Sequence, residues 1–104
     1  MDMLDLDGII GVLLDIMDEH GFNDDDSYSD LNGFVQGYFD GSNGTQFYIE
    51  KMENSAYGPA AVLGIEENRY PASRSESHVY DEDHGWDEYE LRSTVQHILE
   101  EYGY

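Results

Sequence analysis

Between Met3 and His20 apolar residues return at helical spacing: Leu6, Ile9, Ile10, Leu13, Leu14 and Met17 share one side, with Asp15, Asp18 and Glu19 opposite. This period predicts an amphipathic helix with an acidic outer face. Asp5 or Asp7 can cap its start, where a carboxylate also meets the positive end of the helix dipole, and Gly21 is a suitable stop. Gly8 and Gly11 each weaken such a helix by about 1 kcal/mol relative to Ala, unless another backbone packs against them. A second helical period runs from Asp87 to Tyr102, with Leu91, Val95, Ile98, Leu99 and Tyr102 on one side and Gly103 to end it. Glu90, His97, Glu100 and Glu101 fall elsewhere on that helix. Asp87 followed three residues later by Glu90 has capping-box spacing, and Trp86 and Leu91 flank the cap as a hydrophobic staple requires.

Between the helices the period shortens. Gly33 to Phe39 and Thr45 to Met52 are aromatic-rich and β-prone, and Asp40-Gly41-Ser42-Asn43-Gly44 between them signals a hairpin. Phe47 and Ile49 are expected on its inward face. A turn at Asn54 to Pro59 leads to a third apolar strand, Ala60 to Ile65. Glu66 to Ser77 is polar, and Pro71 argues against a central strand there. Ser77 to Tyr80 then gives a short fourth strand. The predicted fold is α+β, with N-terminal and C-terminal helices packed on a small antiparallel sheet of three to four strands. Residues 1–104 form a single acidic domain, with no internal repeat and no linker. Phe34, Phe39, Phe47 and Tyr102 are assigned to the core.

Charge alters this otherwise ordinary picture. The chain carries 24 acidic residues against four Lys and Arg, for a formal charge of −20. Its 39% apolar and 13% aromatic content still argues for a folded domain rather than a disordered one. Self-repulsion should make stability rise with salt. Nucleic acid and an anionic membrane surface would be repelled, so the expected partner is basic. Without cysteine, disulfides and thiolate metal sites are excluded, and a cytoplasmic location is expected. The acidic N-terminus and the broken run Ile9 to Leu14 do not read as a secretory leader, and no apolar stretch is long enough to span a membrane.

Catalytic chemistry finds little support. His20, His78, His84 and His97 have no zinc-pair spacing and read as surface residues or helix-end charge partners. There is no G-x-S-x-G elbow, P-loop or dinucleotide fingerprint. Any two carboxylates in so acidic a chain can be nominated as a hydrolytic pair, so that signal has no specificity. Counted from Asp24, an EF-hand loop would place Ser29 and Val35 where Gly and Glu are needed. No enzyme activity, cofactor or metal site is expected.

Two stretches concentrate charge. One is Asp24-Asp25-Asp26, continuing through Tyr28 to Asp30; the other runs from Tyr80 to Glu90 and holds six carboxylates with no Lys or Arg. Asp24, Asp25, Asp26, Tyr28, Asp30, Tyr80, Asp81, Glu82, Asp83, Asp87, Glu88 and Tyr89 are the candidate partner-binding residues. Tyr is included because it joins a large apolar body to a hydrogen-bonding tip. Carboxylates one helical turn apart lie about 5–6 Å from each other, near the spacing of successive phosphates on one nucleic-acid strand.

In size, in charge and in its acidic runs Asp24-Asp25-Asp26 and Asp81-Glu82-Asp83, the chain resembles the small acidic proteins by which phages and plasmids block host defence. These are the anti-CRISPR and anti-restriction DNA mimics. The resemblance implies a non-catalytic inhibitor that occupies the basic groove of a nucleic-acid-binding protein, a CRISPR effector or restriction enzyme, in the host cytosol. Two alternatives stand beside it: an acidic adaptor or immunity-like protein for another basic partner, and a haloadapted small domain. Whether the chain forms a homodimer is left open.

Overall fold

The computed structural model describes residues 3–25, 34–56, 58–69 and 72–104. Helix α1 (Leu6–Glu19) opens with Asp5, whose side chain accepts the Gly8 N–H, and ends before Gly21 at φ 72°. Helix α2 (Glu88–Glu101) is capped by Asp87, which accepts the Glu90 N–H at 2.8 Å. Both helices therefore start where the carboxylate caps predict. Nothing packs within 4 Å of where a Gly11 side chain would lie, so close backbone approach does not explain that glycine.

The sheet exceeds the three to four strands expected. Among the described residues it has five, β1 (Asn23–Asp24), β2 (Val35–Asp40), β3 (Thr45–Ser55), β4 (Gly58–Arg69) and β5 (Ala72–Asp81), in the order β1-β2-β3-β4-β5. Each neighbouring pair is antiparallel. The largest departure is Glu66 to Ser77, whose described residues lie in β4 and β5 rather than in a loop. The polarity of its second half, Ala72 to Ser77, has a positional cause: β5 is the last strand in the order, and serines and charges suit a sheet edge. Pro71 lies outside the described residues.

Residues paired across antiparallel strands point to the same face. Phe39, Phe47, Ile49, Leu63 and Ile65 thus form one apolar face, onto which Ile9, Leu13 and Met17 of α1 and Leu91, Val95 and Leu99 of α2 pack. Phe47 and Ile49 are fully buried, as expected. Phe34 is not in the core: it precedes β2 and is 57% exposed.

Helix α1 begins beside the residues that precede α2. The Leu4 N–H donates to the Trp86 carbonyl at 2.7 Å, and at the far end His20 Nε2 lies 3.2 Å from Gln96 Oε1. The chain end docks on the β2–β3 turn. Tyr104 packs edge-on against Phe22 and Phe47, and its hydroxyl bonds to Asn43 Oδ1. Asn43 Nδ2 donates to the Tyr102 carbonyl at 2.7 Å. Gly41 is required here, since a Cβ would overlap the Tyr104 hydroxyl.

Candidate interaction surface

At the end of β5 the chain makes a short 3-10 turn, Glu82–His84, and Gly85 ends it at φ 81°. Trp86 and the cap Asp87 follow. This corner gathers the amino ends of both helices, and the acidic run lies at their two positive poles. Glu82 Oε2 accepts the Leu6 N–H at 2.7 Å, satisfying a first-turn donor of α1 from 76 residues away. Asp87 does the same for α2 within its own helix. The Glu90 carboxylate meets His84 Nε2 at 2.8 Å, and Glu88 meets Arg92 Nε at 3.1 Å. Four of the corner's carboxylates therefore have partners inside the molecule. Asp81 and Asp83 have no ion-pair partner among the described residues; Asp81 is half-buried and Asp83 exposed.

Tyr80 is not an interface residue. It is 2% exposed, pairs with Ala61 on the helix-covered face, and meets Trp86 edge-on at 5.3 Å. Burial pushes its hydroxyl far above the ordinary tyrosine value, and that hydroxyl has no hydrogen-bond partner among the described residues. Tyr89, by contrast, is 82% exposed on the first turn of α2. It borders a shallow groove between the helices with Ile16, His20, Arg92 and Gln96.

The two acidic runs are not brought together. Asp24 and Asp25 lie in or beside β1, at the sheet edge opposite β5, and four interstrand spacings separate those edges, roughly 19 Å. Asp24 is exposed, and the Asp25 N–H donates to the Tyr38 carbonyl at 2.6 Å. Asp26, Tyr28 and Asp30 lie outside the described residues.

The cations are largely committed. Lys51 pairs with Asp7 at 2.9 Å and reaches Glu53 at 3.6 Å, and the Asp7 hydrogen bond holds its ammonium above the usual lysine value. Arg92 bridges Glu19 and Glu88 and so ties α1 to α2. Arg74 lies 4.1 Å over the Tyr102 ring and 4.0 Å from Glu76. The helices' outward carboxylates Asp15, Asp18, Glu100 and Glu101 are exposed and belong to no ion pair among the described residues. The sequence reading did not select these four, although their periodicity already placed Asp15 and Asp18 opposite the core side.

The other face of the sheet is not covered by either helix. Tyr38, Tyr48 and Gly64 form one cross-strand row, and Glu50, Val62 and Val79 the next. The Tyr48 ring lies flat across Gly64, where any Cβ would overlap it, and stacks on Tyr38 at 6.2 Å. No group of three or more His, Asp or Glu side chains among the described residues is placed to hold a metal ion. Among the same residues no helix is long and apolar enough to cross a membrane.

Fold and surface together define a class: a two-layer α+β domain with an acidic shell around one apolar core. No protein-family model, curated protein or solved structure matches the chain.

Proposed function

We propose that the protein is a non-catalytic, stoichiometric inhibitor that occupies the basic nucleic-acid-binding groove of a host defence nuclease or effector. The observation that carries this reading is the set of outward carboxylates on the helices, Asp15, Asp18, Glu100 and Glu101, without internal cations among the described residues. Held on rigid helices, such groups form a fixed anionic pattern that costs little ordering on binding. A groove lined with Lys and Arg for phosphates would meet Asp15 and Asp18, one turn apart, at similar spacing, about 5–6 Å, with Glu100 and Glu101 adding charge from the second helix. Asp83 extends the same charge toward the β5 edge.

The proposal is tested by displacement of labelled DNA or guide RNA from purified CRISPR effectors and restriction enzymes. Displacement should saturate near one protein per binding groove and weaken as salt rises, because the attraction is screened. Replacing Asp15, Asp18, Glu100 and Glu101 together by their amides should weaken displacement at least tenfold, by loss of several charge contacts. Full retention of nucleic acid by every effector at low salt would overturn the proposal.

A further inference from the structure

Helix-covered and helix-free faces of this sheet differ in kind. On the helix-free face a band of apolar and aromatic side chains, Tyr48, Val62, Val79 and Met52, runs between carboxylates. Asp40, Gln46 and Glu66 form the cross-strand row on one side of the tyrosines, and Glu50 pairs with Val62 on the other. Val79 is 41% exposed although it is β-branched and lies in regular strand. At the same end Phe34, 57% exposed, shares a hollow with Met52, Glu50, Glu53 and Lys51, whose ammonium is paired with Asp7. An antiparallel sheet with one solvated face is expected to alternate apolar inward and polar outward. This face breaks that alternation at its centre.

The Tyr48 ring is pre-positioned. It fills the space above Gly64, so the glycine fixes the ring flat on the strand. Glu50, two residues along β3, and Glu66, two residues from Gly64 on β4, share this face on either side of the ring, and partial burial and then their charges raise its hydroxyl above the ordinary tyrosine value. A flat aromatic ring with flanking carboxylates matches a guanidinium, which stacks on the ring and donates in-plane hydrogen bonds to the carboxylates. An ammonium would gain the charge attraction without the stacked plane.

We infer that the helix-free face of the sheet, with Tyr48, Val79 and Met52 framed by Glu50 and Glu66, is a docking surface for an arginine-bearing face of a basic partner protein. Charge complementarity selects this occupant. A second copy seated face to face would bring Glu50, Glu66 and Asp40 of two chains together, each chain at −20. The inference rests on the proposed basic partner and adds to it an apolar anchor that a nucleic acid does not offer.

The test is a nuclear magnetic resonance titration of the isotope-labelled protein with two peptides of equal length and charge, nona-arginine and nona-lysine. Expected are shifts centred on Tyr48, Gly64 and Val79, with the arginine peptide bound several-fold tighter. The variant Val79→Asn, at the exposed site, should keep the parent's melting temperature and lose severalfold in arginine-peptide affinity, as truncation of a central anchor does. Shifts confined to the outward sides of α1 and α2, equal for both peptides, would overturn the docking face and leave the groove inhibitor standing. Shifts on the sheet face together with failure to displace any nucleic acid would do the reverse. Shifts at Val79 that appear on concentrating the protein alone would replace the basic partner with a second copy and overturn the choice made here.

Discussion

The corner between β5 and α2 and the outward sides of the two helices are built from the same carboxylates, but those groups have different surroundings. At the corner Glu82 accepts a first-turn N–H of α1, Asp87 caps α2, and Glu90 and Glu88 meet His84 and Arg92. On the outward helix sides Asp15, Asp18, Glu100 and Glu101 are exposed and belong to no ion pair among the described residues. The densest acidic stretch of the sequence is thus largely committed to folding, whereas more thinly spaced residues present free charge. Crowding in sequence reflects where two helix poles meet, and it is a poor guide to which carboxylates a partner can reach.

The difference can be broken most forcefully at the corner. Glu82→Ala should destabilise the domain by about 2 kcal/mol, through loss of a charge-assisted hydrogen bond and an unsatisfied donor on α1. Asp87→Ala should cost about 1 kcal/mol as an ordinary cap deletion. Urea unfolding followed by circular dichroism measures both. Losses below 0.3 kcal/mol in each, on the order of the noise between independent sites, would mean that the corner carboxylates are as free as the outward ones.

Tyr80 sharpens the contrast from the apolar side. Its buried hydroxyl lacks a partner among the described residues, so Tyr80→Phe should be neutral or stabilising by up to about 1 kcal/mol at pH 7, since a desolvated donor is removed. The folded state holds the Tyr80 proton to higher pH than the unfolded chain does. Burial raises Tyr48 and Tyr102 in the same direction. This contribution is complete below the unfolded tyrosine value of about 10 and is lost as pH rises above it. Thermal melts between neutral and alkaline pH should show that loss, and Tyr80→Phe should lessen it. An unchanged alkaline slope would place the hydroxyl in water.

The smallest effect is expected on the helices' outer sides. Asp15→Asn with Asp18→Asn should alter stability by less than about 0.5 kcal/mol, and any change should be a gain from reduced repulsion that fades with added salt. A loss comparable to that of Asp87→Ala would show that these residues, too, serve the fold.

Much of the architecture was legible because it depends on periods and caps. Ile9, Leu13 and Met17 mark the buried side of α1, and Asp87 with Glu90 marks the start of α2. Alternation sets Phe47, Ile49 and Lys51 against Tyr48, Glu50 and Met52 and leaves the inward side open; the apolar pair Phe47 and Ile49 favours the side that is in fact buried. Strand β5 was harder to read: Glu76, His78 and Tyr80 share one side and Ser75, Ser77 and Val79 the other, and neither set is apolar throughout. Without an apolar side, alternation cannot tell which way Tyr80 points, and its acidic neighbours suggest an exposed setting that Trp86 in fact closes. Strand β1 is two residues long, too short for any period. The task of Glu82 depends on a contact with Leu6, 76 residues away, and that of Glu90 on a turn that brings His84 back beside α2. The only local sign of the helix-free face is Gly64, whose missing side chain accommodates Tyr48.

Every strand in this sheet pairs with its sequence neighbour, so the sheet can assemble hairpin by hairpin, a topology that favours rapid folding. The Glu82 to Leu6 hydrogen bond instead closes a loop of 76 residues. Such a closure belongs late on the folding route, after the transition state. In stopped-flow experiments Glu82→Ala should therefore accelerate unfolding and leave the refolding limb almost unmoved, making this carboxylate a determinant of how long the native state lasts.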